Sequence, residues 1–583
     1  IGMSKALSTN TGHLRALEIA AALAQEKGLS QAETRYTTWA KALKQAIRDR
    51  LWLADVGLFS TFITTTLDPA PVHHVDLLGS AFAILYGIAT PAQAKSVVAH
   101  YPHVPKGAPV LWPQQKDVAI YHNRAIWPFA TAFWIRAARR VGNSAAVELG
   151  MSSLMRAAAL NLSNMENIEM VTGKPWVDDP PYSGPVVNSQ GQLWSIAAYL
   201  SMVQDIVFGI EATQEGLRFA PYITVNARHS LFGTSDRLVL NNFPYHGKTI
   251  SVIVSLPKKS LGPHDGAYAV KQLRVNGQDA KPGQVVSAST FSLPRNLVEI
   301  DLGTAKDLGS AITLVTKTSD AQTLFAPRSP TIHTVALVGG KVTLAFDLGG
   351  EQATEVAINV YRDGQRVASA LSGALTRWTD PTATSPNKSV CYALETTYLT
   401  SKNASQHSPP ACYWGEQSAR VTTIAASHFV AKGGSLNANH GRLHYEPWGD
   451  PGDTLVVPSF TPRFSGPHLF QVVAGNGGPI ATGVTCAVKH LRVEETSTGK
   501  VAGEGYLVMP HLGTWDAWRD SNLLPIALDK TKTYRISIES TPEALNMSSF
   551  AHFATYTGGL GGAAGAFNRA NIAELKILAL IGQ

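Results

Sequence analysis

Three cysteines in 583 residues are too few for a disulfide scaffold or a four-thiolate zinc site. No apolar run reaches the roughly 18 residues that cross a bilayer, so no membrane span is expected. Residues 1–10 have neither the basic start nor the apolar centre of a secretion signal, and the chain reads as beginning on trimmed polypeptide. Charge is sparse as well. Asp, Glu, Lys and Arg make up 16% of the residues, and the formal balance of +7 is spread without a Lys/Arg run, which gives no nucleic-acid partner. Self-similarity at a period of roughly 20 to 50 residues is missing, which excludes solenoids and propellers. The glycine-rich run 558–565 lacks the preceding strand and following Lys-Ser/Thr of a phosphate cradle and reads as a flexible loop. No cofactor is expected.

What is present is ordinary globular material, 45% hydrophobic with 33 prolines, long enough for several cores. Residues 1–212 have helical grammar. Tyr36, Trp39, Leu43, Ile47 and Leu51 recur every three or four positions and make one apolar stripe on a helix over about 31–53. An Ala/Leu-rich helix beginning near His13 precedes it, across Gly28 and Ser30. Shorter helical patterns follow over 77–86, 91–99, 125–141, 144–160 and 190–210. Pro102, Pro105, Gly107, Pro109 and Pro113 make 101–121 a long irregular loop, and such loops inside compact domains are usually functional. Helices in hairpin pairs, joined alternately by tight turns and long aromatic loops, imply a toroid of helices with one busy face.

From Glu215 the period drops to two, with candidate strands over 238–240, 249–255, 269–275 and 297–302 and an Asn276-Gly277 turn. Residues 213–325 are therefore expected to form a β-sandwich domain packed on the helices. Residues 326–420 carry short strands around an Asp363-Gly364 turn, in the span of a fibronectin type III sandwich. The run Val360-Tyr361-Arg362-Asp363-Gly364 resembles that family's central hairpin. Cys391 and Cys412 flank a candidate hairpin and Cys486 is left over. A Cys391–Cys412 bridge would fit an exported protein. Residues 421–583, β-rich with Trp448, Trp515 and Trp518, read as a jelly-roll, carbohydrate-binding-like module. The fold class is multidomain α plus β, a partial helical toroid followed by several β-sandwich domains.

The chemistry concentrates between Tyr121 and Phe208. Inverting hydrolysis of a glycosidic bond needs one carboxylic acid to protonate the leaving oxygen and one carboxylate to deprotonate a water on the other face of the sugar. Glu169 suits the second role: Ile168, Met170 and Val171 flank it, and Gly173 lets the chain turn after it. Glu166 is a tuning partner, a ligand of sugar hydroxyls or a capping acid. Both also fit surface carboxylates at a helix end, where Glu is common. Trp112, Tyr121, Trp127, Trp176, Tyr182 and Trp194 lie in or beside the long loops, where rings offer flat apolar platforms to the C–H faces of sugars. Aromatics at helix starts are as often core, so it is the clustering that carries the reading. Gln114, His122, Asn123, Asp178 and Gln192 complete the sugar-contact candidates, although His122 and Asn123 would equally satisfy helix-end backbone groups. His73-His74 with Asp76 offers metal-capable atoms, but the adjacent pair cannot both face one ion from regular structure, and no metal site is expected.

Three stretches come in a telling order. Tyr121-His122-Asn123 with Trp127-Pro128 is similar to a Tyr-His-Asn-Gly-x-x-Trp-Pro turn, with Arg124 where Gly is usual. Glu169-Met170-Val171-Thr172-Gly173 is similar to a Glu-Leu-Phe-x-Gly segment. Asn188 to Trp194, continuing through Ile210 to Glu215-Gly216-Leu217-Arg218 and Pro221, is similar to a last barrel helix and the lead-in to a β-domain. Together they resemble the C-terminal half of the six-hairpin (α/α)6-barrel glycosidases, in particular the glycogen-debranching, amylo-1,6-glucosidase-like group. The resemblance implies an exo-acting inverting glycoside hydrolase of an oligo- or polysaccharide, α-glucoside-like, with Glu169 as general base. It also implies that the general acid lies upstream of Ile1, with a second polypeptide carrying the N-terminal half of the barrel, and a periplasmic or secreted location. Two rivals stand beside it: a polysaccharide lyase using Tyr121, His122 and Asn123, and a non-catalytic glycan-binding protein.

Overall fold

The computed structural model describes residues 4–185, 188–258, 266–307, 309–383, 389–415, 420–478, 486–546 and 568–580. The glycine-rich run 558–565 lies outside the described residues. Up to residue 207 the chain is built on α1 (Leu7–Glu26), α2 (Ser30–Leu51), α3 (Leu77–Leu85), α4 (Pro91–His100), α5 (Pro128–Val141), α6 (Ser144–Asn161) and α7 (Leu193–Ser201). Local chemistry sets their ends. Asp76 caps α3 through the Gly79 N–H, Thr90 and Gln93 form a capping box ahead of Pro91, and Asn143 caps α6 through Ala146. Pro128 opens α5, where its missing N–H costs nothing, and Gly142 closes it in the left-handed region.

The odd-numbered helices form a row, α1 on α3, α3 on α5 and α5 on α7, and the even-numbered ones pack outside it, α2 on α1, α4 on α5 and α6 on α5. Two boundaries differ from the sequence reading. Residues 125–126, expected in a helix, are a strand, because Ala125 and Ile126 pair with Glu169 and Ile168. The last helix begins at Leu193 and finishes as a π-helical turn, Met202–Val207. The stripe on α2 is covered only towards its C-terminal end: Ile47 and Leu51 are buried, whereas Trp39 is 53% exposed.

Among the described residues, three large cores and two small clusters follow from the apolar patterning. One runs continuously from Leu7 to Leu324, so the first β region shares its core with the helices. Its main sheet includes Lys248–Ser255 pairing in parallel with Arg295–Lys306, and Asn276 and Gly277 make the expected turn at positive φ. The second core, from Val342 to Tyr413, lies between a three-stranded and a four-stranded sheet. Asp363 and Gly364 turn its central hairpin at positive φ, and a Cβ on Gly364 would meet Pro69 of the helical region at 2.4 Å, so glycine is required there twice over. Cys391 and Cys412 are disulfide-bonded, and Cys486 is free and buried. The third core, from Ala426 to Ile577, fills a seven-stranded and a five-stranded sheet around Trp448 and Phe470.

Candidate active site

The short ladder of Ala125–Ile126 with Ile168–Glu169 brings together the two stretches singled out in the sequence. Arg124, just before the first strand, has φ 59°, a conformation that costs a non-glycine residue roughly 1–2 kcal/mol. That is the physical reason glycine would be usual there. Arg124 instead uses its side chain. The guanidinium donates to Asp179 at 2.6 Å, sits 3.8 Å from Glu169 Oε1, and lies over the Phe325 ring. Its departure from glycine was visible in the sequence, but its bridging role was not.

The two glutamates differ in how their oxygens are used. Glu169 is fully buried, and its Oε2 accepts from the Val171 N–H, the Thr172 N–H at 2.7 Å and the Thr172 hydroxyl at 2.8 Å. Gly173 closes this turn at φ 74° and donates back to the Glu169 carbonyl. Glu169 Oε1 has no hydrogen bond, only the Arg124 charge. Glu166, 5% exposed, accepts from the Tyr121 hydroxyl at 3.1 Å through Oε1, and its Oε2 has no partner.

Rings crowd the Tyr121 side. His122 stacks on Trp127 at 4.8 Å, Tyr121 meets Trp127 edge-on at 5.1 Å, and Trp194 packs against both Trp127 and Phe129. The Trp127 indole and the Asn167 amide both donate to the Tyr121 carbonyl, which locks this turn. Burial holds the His122 pKa below its usual value, against the pull of Glu166.

The remaining candidates divide. Asn123 spends its amide on the loop before it, accepting from Gln115 N–H and donating to the Gln115 and Val118 carbonyls. Gln114, fully buried, donates to the Leu111 carbonyl and accepts from the Arg124 N–H. Trp112 is buried in the strand pairing with Val75. Trp176 is 51% exposed, Asp178 accepts from Ser183, and Tyr182 donates to Asp117, which pairs with Arg328. Gln192 precedes α7 with no side-chain cap bond. His73 and His74 diverge: His73 lies between Asp55 and Glu395, while the His74 ring is buried with Nε2 unpartnered.

A cavity of about 1130 Å³ lies elsewhere. It is lined by Arg15, Arg136, Arg139, Arg218 and Glu211 among others, and contains none of the candidate catalytic or sugar-contact residues. Its guanidinium groups are already paired, Arg139 with Glu211 at 3.0 Å and Arg218 with Glu211 at 3.2 Å. Size alone therefore does not make it the reactive site.

Residues 5–195 match the family model of the mannosylglycerate hydrolase MGH1-like glycoside hydrolase domain, which supports a glycosidase and a glycan-related function. The chain matches no curated protein. Among solved structures it is similar to a module described as Xyl-CBM35 in complex with a glucuronic acid containing disaccharide, at 15% identity and TM-score 0.19, covering 27% of this chain and 92% of that one. It is also similar to the C-terminal CBM6 of LamC from Zobellia galactanivorans, at 12% identity and TM-score 0.19, over 27% and 99%. A sialidase aligns at 13% identity and TM-score 0.35, over 49% of this chain and 26% of that one.

Proposed function

We propose that the wall formed by residues 121–194 is the base-bearing side of an inverting, exo-acting glycoside hydrolase of oligo- or polysaccharides, α-glucoside-like. In this reading Glu166 is the general base and Glu169 the carboxylate that clamps the supporting turn. The observation that carries it is that Glu166 Oε2 is buried without a hydrogen-bond partner, on a carboxylate whose other oxygen takes one hydrogen bond from Tyr121; a general base needs such an uncommitted oxygen. Glu169, which the sequence ranks first, has one oxygen committed to three local donors and the other beside Arg124. His122, Trp176, Asp178, Tyr182, Gln192 and Trp194 are the sugar-contact set, and the buried Trp127 backs it. Gln114, Trp112 and Asn123 hold the loop rather than the sugar. Asn123 has no spare polar atom to neutralise a uronate, which disfavours the lyase reading.

The general acid in this reading comes from a further stretch of protein, an N-terminal half-barrel in cis or on a second polypeptide, that completes an (α/α)6 toroid. The alternating row of helices supports this, and so does apolar surface that a neighbour would cover: Leu193 is 78% exposed and Leu200 54%. The β-sandwich at 421–583 serves as a glycan-binding module. The disulfide supports a periplasmic or secreted location.

The test uses the full-length encoded protein on a glycan it turns over. Glu166→Gln is expected to lower kcat about 10²- to 10⁴-fold with little change in melting temperature. Glu169→Gln is expected to cost stability first and activity less. The reverse order would transfer the role to Glu169, and unimpaired turnover in both variants would sink the proposal.

A further inference from the structure

The C-terminal sandwich holds a second cluster of reactive side chains, outside the proposed active site. Strands Ser435–Asn437 and His444–Glu446 pair as a hairpin with Asn437 opposite His444. His444 and Glu446 are two apart on one strand and so share a face, and His440 lies in the connecting turn. One ligand atom from each of His440, His444 and Glu446 lies within 4.8 Å of the other two.

The hydrogen bonds around the cluster orient all three. His444 Nδ1 is 2.7 Å from the Arg442 carbonyl. A carbonyl only accepts, so Nδ1 carries the proton and the neutral ring has its lone pair on Nε2. That Nε2 belongs to a fully buried residue, has no hydrogen-bond partner, and stands 3.4 Å from Glu446 Oε2. His440 repeats the pattern: Nδ1 faces Asp516 Oδ1 at 2.7 Å, and Nε2 is 3.1 Å from the same Glu446 oxygen. Glu446 Oε1 is fastened by the Asn437 and Asn439 amides at 2.8 and 2.6 Å, which leaves Oε2 for the two histidines. Trp518 closes one side, its indole donating to the His440 carbonyl and its ring edge-on to His444.

Two imidazole lone pairs aimed at one carboxylate oxygen repel unless a cation stands among them. We propose that His440, His444 and Glu446 form a divalent transition-metal site of the zinc class, with a fourth position open to water or an exogenous ligand. At metal–ligand distances of about 2.0–2.2 Å, adjacent ligand atoms of a tetrahedral site lie roughly 3.3–3.5 Å apart. The two His–Glu separations, 3.1 and 3.4 Å, are of that size. Two imidazoles select zinc, nickel or copper over calcium or magnesium, which take oxygen ligands. A carboxylate behind one histidine and a carbonyl behind the other are the outer partners that fix ring orientation in such sites. The competing occupant is a proton: His440⁺ would bridge Asp516 and Glu446 by itself, without metal.

The experiment titrates zinc into the full chain after chelation and dialysis, with calorimetry for stoichiometry and the visible spectrum of the cobalt-substituted protein for geometry. Expected are one zinc per chain, a tetrahedral cobalt spectrum and a higher melting temperature with metal. In His440→Ala and in Glu446→Gln the affinity should fall at least about tenfold and the cobalt spectrum should be lost. His444→Ala should do the same, but its burial makes misfolding a risk, so the partly exposed His440 is the deciding variant. No zinc uptake, or uptake undiminished in both His440→Ala and Glu446→Gln, overturns the proposal in favour of the proton.

Discussion

The helical region and the C-terminal sandwich each hold a carboxylate with one oxygen fastened by hydrogen bonds and the other without one. Glu166 is fastened by Tyr121, and Glu446 by Asn437 and Asn439. What surrounds the free oxygen differs. Around Glu446 Oε2 two histidines from the same hairpin converge within 3.4 Å. Beside Glu166 there are rings, and next to them helix surface with Leu193 and Leu200 open. A site built within ten residues is complete in itself. In the proposed function, the site spread over residues 121–194, next to the exposed Leu193 and Leu200, is one side of something larger.

That contrast can be broken first in the helical core. Trp134, fully buried in α5 with its indole donating to His103, should cost about 3–5 kcal/mol on replacement by alanine, measured by denaturant unfolding. A loss below about 1 kcal/mol would mean that the row of helices is not a packed core. Leu193→Ala sits at the other extreme of burial in the same region. It should change the stability of this chain by less than about 0.5 kcal/mol, yet lower the activity of the full-length protein if that face is covered. Equal activity would remove the reason to regard the surface as an interface.

A smaller, pH-dependent effect sharpens the border between the helical region and the two-sheet region that holds Glu395. His73 lies between Asp55 of the former and Glu395 of the latter. Burial opposes its charge, but hydrogen bonds to both carboxylates raise its pKa to about 10. The folded value lies above the usual value of about 6.5, so the stabilisation is complete below about pH 6.5 and lost as pH rises through about 10. Thermal melts of the wild type should therefore weaken over that window, and His73→Gln should flatten the dependence. On the acid side, Asp55, lowered to about 2 chiefly by its hydrogen bond to His73, withdraws its contribution as pH falls through that value.

Local structure was legible wherever one residue type has one physical use. Asn276-Gly277 and Asp363-Gly364 turn where positive φ is needed, Pro128 opens a helix, and Gly173 closes the glutamate turn. The pairing of residues 125–126 with 168–169 was not legible, because two-residue strands have no period. Nor was the difference between Glu166 and Glu169: spacing ranks them, but only the fold shows that Glu169 Oε2 takes three local hydrogen bonds while Glu166 Oε1 takes one from Tyr121. Asn123 and Gln114 illustrate the same limit, since an amide that binds sugar and one that binds its own loop look identical in sequence. The adjacent pair His73-His74 is the more conspicuous in sequence, but its rings have different surroundings, whereas His440, His444 and Glu446 converge. The spacing of His440, His444 and Glu446 is the sequence signal of that cluster.

The most direct measurement is the anomeric form of the first product, followed by NMR as the full-length protein cleaves a glycan of known configuration. A base-bearing wall that activates water requires the initial product to be the inverted anomer, drifting afterwards to the equilibrium mixture by mutarotation. A retained anomer, or an unsaturated uronate end, would contradict the assignment of Glu166 as general base.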